Sequence, residues 1–321
     1  MKRFLTAMAL LLAAATTLPA WAQTPSWPSK PIRIVLQFPP GGSTDAVARI
    51  LAQAMQASLG QPVLVENRPG ADGAIAGDFV ARSEPDGHTF FLASNTPMMQ
   101  VPLLKKNPPY DPVKSFTPVS LVGRYVYVMV STPALPAKDV AELLAYARAN
   151  PGKLGYGSYS GVTQLMHTNL KLVKADTNLV PYKGEAPTVT DILGNHVQFT
   201  FATPASTLGH IKDGKLRALA VLLPGRSPLL PNVPTAAEAG LPPLTAGTWA
   251  ALFGPAKLPP EIAQKMNRAL GAAMQQADVR ERITQLGFDL AGNSPDEMGK
   301  FLQEQLVAWA KAFKDAGMVA E

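Results

Sequence analysis

The chain has 321 residues, of which 47% are hydrophobic and 16% are charged, so it can bury a large core and is not a disordered chain. It contains no cysteine, which excludes disulfides, thiol catalysis and zinc ribbons. The formal net charge of +6 comes from scattered Lys and Arg residues without interleaved aromatic residues, so we expect no nucleic-acid partner.

The first residues are typical of an export signal. A basic start at Met1-Lys2-Arg3 precedes an apolar stretch, and the small-x-small site Ala20-Trp21-Ala22 follows it. We therefore expect residues 1–22 to be a signal peptide that is cleaved near Ala22. An uncleaved membrane anchor is the alternative, but the apolar stretch is too short to span a bilayer.

The next hundred residues alternate strands, glycine turns and helices. An apolar, β-branched strand at 32–36 leads into the turn Phe38-Pro39-Pro40-Gly41-Gly42-Ser43-Thr44-Asp45, and an amphipathic helix follows at 46–59. Further strands are predicted at 62–66 and 88–93, with a helix at 74–83 between them. This alternation predicts an α/β fold with a parallel sheet.

The alternation continues through the rest of the chain. Further strands are predicted at 116–122, 125–131, 154–156, 178–181, 197–202, 216–223 and 248–253, and further helices at 139–149, 162–174, 186–193, 204–213, 235–239, 260–276, 277–286 and 294–317. The second glycine turn of this kind is Gly157-Ser158-Tyr159-Ser160-Gly161. Because ligands of open α/β sheets bind at the carboxyl ends of strands, two such turns facing each other would form a cleft.

The first turn offers hydrogen-bond donors to a ligand. Gly41 and Gly42 let the backbone approach closely, and the following hydroxyls of Ser43 and Thr44 can cap the helix. Free N–H groups and the helix dipole favour a carboxylate, although an ordinary strand-to-helix turn is an alternative interpretation. Asp45 would repel an anion at contact, so we expect it to be structural.

The second turn is uncharged and rich in hydroxyls. Ser158, Ser160 and Thr163 could bind a ligand through hydrogen bonds or bridging water. His167 lies one helical turn further on, and we expect it to be a packing residue.

Catalytic and metal-binding patterns are missing. Tyr159 stands where a nucleophile elbow has its serine, and Leu216 stands where a P-loop has its Mg²⁺-binding hydroxyl. The four histidines form no i,i+4 pair. We therefore expect neither a metal nor a cofactor.

Several segments together resemble the Bug-type periplasmic receptors of tripartite tricarboxylate transporters, and the resemblance covers essentially the whole mature chain. The segments are Trp27-Pro28, Lys30-Pro31-Ile32-Arg33, Phe38-Pro39-Pro40-Gly41-Gly42, Asp45, Ala48-Arg49, Glu66-Asn67-Arg68-Pro69-Gly70-Ala71, Pro85-Asp86-Gly87, Tyr156-Gly157-Ser158, Val180-Pro181-Tyr182-Lys183-Gly184, Pro231, Val233-Pro234-Thr235, Glu238, Gly240 and Trp249.

The resemblance implies a two-lobed α/β binding protein of the venus-flytrap, type II-like kind, in which each lobe is a sheet flanked by helices. The first lobe would comprise 23–125 and 246–321, and the second 126–245. It also implies a periplasmic receptor, not an enzyme, that captures a small di- or tricarboxylate or aromatic acid for the membrane subunits of such a transporter. We expect this receptor to act as a monomer.

Family members hold a ligand carboxylate between the two turns. The resulting candidate ligand-binding residues are Phe38, Gly41, Gly42, Ser43, Thr44, Asp45, Ser94, Asn95, Ser158, Ser160, Gly161, Thr163, Thr203 and Trp249. Many members carry an aspartate after the aromatic residue of the strand at 197–201, where it reads a ligand amino group. Here Phe201 is followed by Ala202, which favours a carboxylate without an amino group.

Two other function classes fit the same features. An exported α/β hydrolase-like enzyme is disfavoured because a nucleophile–base set is missing. A ligand-sensing partner of a membrane signalling protein would share the fold and would differ only in the protein that recognises the closed form.

Overall fold

The computed structural model describes residues 27–223, 225–241, 248–318 and 320. The predicted signal peptide, its cleavage near Ala22 and the predicted lobe boundary at 245/246 lie outside these residues. Within the described chain, no helix combines the length and apolarity that a membrane span requires.

The strands and helices follow one another in nearly strict alternation. The strands are β1 Ile32–Leu36, β2 Val63–Asn67, β3 Thr89–Ser94, β4 Phe116–Tyr125, β5 Val128–Ser131, β6 Gly155–Ser158, β7 Asn178–Pro181, β8 Phe199–Ala202, β9 Arg217–Val221, β10 Trp249–Pro255 and β11 Phe288–Leu290. The α-helices are α1 Ser43–Leu59, α2 Ala74–Ala81, α3 Val101–Leu104, α4 Val140–Ala149, α5 Gly161–Leu172, α6 Glu185–Leu193, α7 Pro204–Lys212, α8 Pro260–Gln275, α9 Ala277–Gln285 and α10 Pro295–Asp315.

The first lobe is built on a mixed sheet whose strands come from both ends of the chain. In the described residues its order is β11-β4-β10-β3-β1-β2. The strand β1 pairs in parallel with β2 and β3, whereas β10 pairs antiparallel with β3 and β4. The central strands β3 and β10 are buried along their whole length because helices cover both faces of the sheet.

The second lobe is built on a sheet from the middle of the chain. Its described strands lie in the order β7-β6-β8-β5-β9. The strand β6 pairs in parallel with β7 and β8, and β5 pairs antiparallel with β8 and β9. Two sheets, each flanked by helices, confirm the predicted two-lobed α/β fold, while the domain limits stay a prediction.

The lobes are joined by chain segments that are hydrogen-bonded to each other. The Thr248 hydroxyl donates to the carbonyl of Tyr125 at 2.8 Å, and the Leu222 N–H donates to the carbonyl of Tyr127 at 2.8 Å. The outgoing and returning segments therefore form a two-stranded hinge, which places the two tyrosines between the lobes.

Several local predictions differ from the structure. The strand predicted to end at 122 continues as β4 to Tyr125, because its last residues pair with β11, a three-residue strand that the pattern did not reveal. The next strand, predicted at 125–131, therefore begins only at Val128 as β5. Residues 96–104 are helical although no helix was predicted there. Residues 236–240 form a turn instead of the short helix predicted at 235–239, and Thr235 forms an isolated β-bridge with Val221.

The pairing of β4 with β11 depends on Gly123. An added Cβ at this position would collide with the backbone oxygen of Asp289 in β11. We expect Gly123→Ala to destabilise the protein by about 1–3 kcal/mol, because one of the two strands must move. Urea unfolding measures this loss.

A matched control is Gly271→Ala in α8, where the added Cβ has no neighbour within 4 Å. Alanine favours the helix, so this variant should gain about 0.5–1 kcal/mol. Equal destabilisation by both substitutions would contradict the steric explanation.

Candidate functional site

A cavity lies between the two lobes. It is lined from the first lobe by Phe38, Pro39, Gly42, Ser43, Thr44, Ser94, Asn95 and Thr96, from the hinge by Tyr125 and Tyr127, and from the second lobe by Tyr159, Ser160, Val162, Glu185, Ala186 and Thr203. The space free of protein atoms in it is about 500 Å³ including its opening to solvent, which is in the size range of small-molecule sites.

The first turn is held in place from behind by Asp45. The N–H of Gly41, whose φ of 95° suits glycine, donates to Oδ2 of Asp45 at 3.2 Å. The same carboxylate accepts hydrogen bonds from Arg49 at 2.9 and 3.0 Å and from Nδ2 of Asn67 at 3.0 Å. Asn67 also donates to the carbonyl of Phe38 at 3.0 Å. The network fixes the backbone of the turn.

Asp45 is charged in this network. Burial opposes its ionisation, but hydrogen bonds from Arg49, Asn67 and the Gly41 N–H outweigh burial and hold the pKa of Asp45 below its ordinary value. Its carboxylate is directed to these partners and does not line the cavity.

The start of α1 faces the cavity. Gly42 is the N-cap residue and has a φ of −87°, which a residue with a side chain also adopts. The buried hydroxyl of Ser43 has no hydrogen-bond partner among the described residues. The hydroxyl of Thr44 lies 2.7 Å from that of Tyr125 in the hinge. The helix N-terminus thus directs polar groups and the positive end of its dipole into the cavity.

The second turn is held by Thr163 as the first is held by Asp45. The Thr163 hydroxyl accepts hydrogen bonds from the N–H groups of Tyr159 at 3.0 Å and Ser160 at 2.9 Å. Ser160 caps α5 in return, and the hydroxyl of Ser158 lies 3.2 Å from that of Thr163. Ser160 lines the cavity, whereas Ser158 and Thr163 support the turn behind it.

The lobes touch each other across the cleft at small or polar residues. The Gly161 N–H donates to the hydroxyl of Thr96 at 3.1 Å, and Nε2 of Gln100 donates to Oε1 of Gln164 at 3.2 Å. Gly184 packs so closely on Pro39 that an added Cβ would lie 2.7 Å from Cγ of the proline. The chain is therefore in a closed conformation.

Three tyrosines line the cavity as neutral hydroxyls. Burial raises the pKa of Tyr125, Tyr127 and Tyr159 far above the ordinary value. Each therefore keeps its proton and can donate a hydrogen bond to a ligand.

Glu185 is the acidic residue of the cavity, and none of the described lining residues is Lys or Arg. Its Oε1 accepts hydrogen bonds from the Thr203 N–H and, at 2.7 Å, from the hydroxyl of Ser206. Burial raises the pKa of Glu185, although these bonds and the Ser43 N–H favour its charged form.

Apart from Trp249, the predicted site residues fall into two groups. Those that line the cavity are Phe38, Gly42, Ser43, Thr44, Ser94, Asn95, Ser160 and Thr203. Those that hold the two turns from behind or at their edges are Gly41, Asp45, Ser158, Gly161 and Thr163.

The side chain of Trp249 lies in the core of the first lobe. It is 1% exposed, packs edge-on against Phe301 and donates to Oε1 of Gln305 at 3.1 Å. Its backbone N–H donates to Oδ1 of Asn95 at 2.9 Å. Trp249 therefore orients Asn95 and does not line the cavity itself.

Sequence reasoning missed several lining residues, above all the hinge tyrosines and Glu185. Tyr125 and Tyr127 belong to the strand predicted at 125–131, and Glu185 directly precedes the helix predicted at 186–193, so no local pattern assigned them to a cleft. His167 packs on Tyr156 and bonds the carbonyl of Thr177, as expected of a packing residue. In the described residues, no three His, Cys, Asp or Glu side chains are placed to hold a metal ion.

Comparison with known families identifies the class of protein. Residues 47–318 match the family model of the tripartite tricarboxylate transporter family receptor. The chain belongs to this family. The receptor is 36% identical to protein BugT of Bordetella pertussis, over 99% of this chain and 98% of BugT.

Solved structures agree with this assignment. The periplasmic binding protein BugD has a TM-score of 0.87 at 32% identity, covering 92% of this chain and 100% of that one. A Rhodopseudomonas palustris protein with adipate has a TM-score of 0.87 at 31% identity, with the same coverage. MatC of that organism, with bound malate, has a TM-score of 0.82 at 32% identity, covering 89% of this chain and 99% of MatC.

These comparisons confirm the predicted family and the periplasmic-binding-protein fold. They also confirm the prediction that the protein is a binding protein and not an enzyme, since its relatives are binding proteins. Membership of a periplasmic family implies export to the periplasm.

The raised pKa of Glu185 predicts a pH-dependent stability. Folding favours the protonated form, so the wild type loses stability as the pH rises from the ordinary value of 4.5 through the higher pKa of the folded state. Glu185→Gln is neutral throughout. The stability of this variant relative to the wild type should therefore increase from pH 4 to pH 7, measured by urea unfolding.

The control is Glu304→Gln on the exposed face of α10. Substitution of an exposed side chain changes the free energy of unfolding by only about 0.5 kcal/mol, so this variant is the reference at each pH. A constant difference for Glu185→Gln would show that burial does not disfavour the charge at this position.

Proposed function

We propose that this receptor captures a small carboxylate, such as a di- or tricarboxylate or an aromatic acid, in the cavity between its lobes. It then delivers the ligand to the membrane subunits of a tripartite tricarboxylate-type transporter. The observation that supports this most is the composition of the cavity, where two helix N-termini and several hydroxyls meet without a basic side chain among the described lining residues.

Such a cavity suits an anion that is bound through hydrogen bonds. Helix N-termini favour carboxylates through N–H groups and the positive end of the dipole. The buried hydroxyl of Ser43 has no hydrogen-bond partner among the described residues. Since buried polar groups are normally hydrogen-bonded, a ligand that accepts from this hydroxyl would satisfy it.

The relatives support the same ligand class. Two similar receptors are bound to adipate and malate, which are both small carboxylates. The family description supports the transporter as partner. The lining residues would contact the ligand, and the residues behind the turns would position the lining residues. Before this, the signal peptide 1–22 would be removed near Ala22.

The direct test is mass spectrometry of the receptor after gentle purification, followed by calorimetry with the acids it identifies and with a panel of small carboxylates. We expect stoichiometric binding of an unchanged acid and a rise in Tm. Turnover of the acid, or no binding by any carboxylate, contradicts the proposal. Capture of solubilised membrane proteins by the loaded receptor should recover transporter subunits, and recovery of a signalling protein instead would contradict the transport role.

Gly42 tests the first turn. An added Cβ there has no neighbour within 4 Å, so Gly42→Val should fold normally while its side chain occupies the cavity. We expect a cooperative melt near the wild-type Tm and an affinity loss of about 100-fold by calorimetry. Gly42→Ala should show a smaller loss. Wild-type affinity in the valine variant would remove this turn from the site.

Gly184 tests closure. Its φ of 171° is extended backbone that alanine also adopts, but the new Cβ would meet Pro39 across the cleft. We expect Gly184→Ala to weaken ligand binding by about tenfold and to reduce the ligand-induced compaction seen by small-angle scattering. Gly209→Ala in α7 is the control, because its Cβ has no neighbour within 4 Å. Full compaction in Gly184→Ala would contradict this role.

A further inference from the structure

Glu185 is a buried carboxylate with a fixed position in the second lobe. It is the first residue of α6 and is 7% exposed. Its Oε1 accepts hydrogen bonds from the backbone N–H of Thr203 and the hydroxyl of Ser206, which both lie at the start of α7. Because these bonds lie within one lobe, the carboxylate stays in place whether the cleft is open or closed.

The first lobe approaches the same carboxylate on closure. The backbone N–H of Ser43, at the start of α1, interacts with Glu185. The other titratable groups that face it are the neutral hydroxyls of Tyr125, Tyr127 and Tyr159. Glu185 therefore lies among dipoles and hydroxyls, and no cation faces it among the described lining residues.

This arrangement restricts the ligand. A buried carboxylate without a positive partner is costly, and a second carboxylate beside it adds repulsion. A ligand that carries only carboxylates would have to keep them away from Glu185. A ligand with a protonated amine would supply the missing positive charge and a charge-assisted hydrogen bond.

We propose that Glu185 selects the ligand by accepting a hydrogen bond from a protonated amino group, so that the ligand is a small amino carboxylate. Its carboxylate would lie against the donors of the two turns and its amino group against Glu185. This inference rests on the proposed function and narrows its ligand class.

Glu185 reverses one expectation from the sequence. Ala202 stands where the resemblance implies an aspartate, which favours a ligand without an amino group. The structure brings the carboxylate of Glu185 to the N–H of Thr203, the next residue along the chain. The end of β8 itself carries no acidic side chain, but the carboxylate of Glu185 on α6 lies beside it.

The test uses acids in matched sets that differ only in one substituent. The sets are propionate, lactate and alanine; succinate, malate and aspartate; glutarate, 2-hydroxyglutarate and glutamate; and 3-phenylpropionate, 3-phenyllactate and phenylalanine. Affinities are measured by calorimetry at pH 7.5 for the wild type, Glu185→Gln and the control Asp213→Asn. Asp213 is an exposed acid at the opposite end of α7.

In the set that binds, the wild type should prefer the amino acid to its hydroxy and unsubstituted analogues by about tenfold or more. Glu185→Gln should lose this preference through weaker binding of the amino acid, while Asp213→Asn keeps it. If the wild type prefers an unsubstituted or hydroxy acid, or if Glu185→Gln keeps the wild-type order, the inference is overturned while the receptor function stands. If no acid binds to the wild type, the proposed function itself fails.

A pH titration of the wild type needs no variant. Protonation of Glu185 removes the negative partner of the amine, so binding of the amino acid should weaken as the pH falls from 8 to 5. Tyr125, Tyr127 and Tyr159 stay protonated throughout this range, so they do not contribute to the change. Affinity for the amino acid that is constant over the range contradicts the inference, even where Glu185→Gln does not fold.

Discussion

The site depends on two hydrogen-bond networks that hold helix N-termini toward one cavity. Asp45 accepts hydrogen bonds from the Gly41 N–H, Arg49 and Asn67 behind the first turn. Thr163 accepts hydrogen bonds from two N–H groups behind the second turn. A glycine-rich turn that was free to relax would direct its donors to solvent or to its own carbonyls. The two networks remove that freedom before a ligand binds. The entropy cost of ordering the turns therefore belongs to folding and does not weaken binding.

Binding through dipoles and hydroxyls has a consequence for selectivity. An Arg or Lys in the cavity would attract most small anions, whatever their shape. Without one among the described lining residues, the net charge of the cavity depends on Glu185. The turns can then be similar in receptors for different acids, while a single acidic side chain determines which further group the ligand must carry.

The sequence revealed the features that are local. Strand, glycine turn and helix follow one another directly along the chain, so both turns and their hydroxyls could be predicted. The hinge tyrosines and Glu185 enter the cavity only because the lobes close on one another, which no local pattern encodes. Trp249 shows the same limit. It lies in a strand buried on both faces, so alternation could not indicate whether its ring faces the cavity or α10.

The residues that select the ligand also link cleft closure to ligand binding. The contacts across the cleft are few and involve small or polar groups, such as Gly184 on Pro39 and Gly161 on Thr96. A ligand shifts the balance toward the closed form only by its extra affinity for that form, so it must touch both lobes at once. Glu185 is fixed to the second lobe and faces Ser43 of the first. A ligand held between these two groups therefore gains its selectivity and its power to close the cleft from one set of contacts.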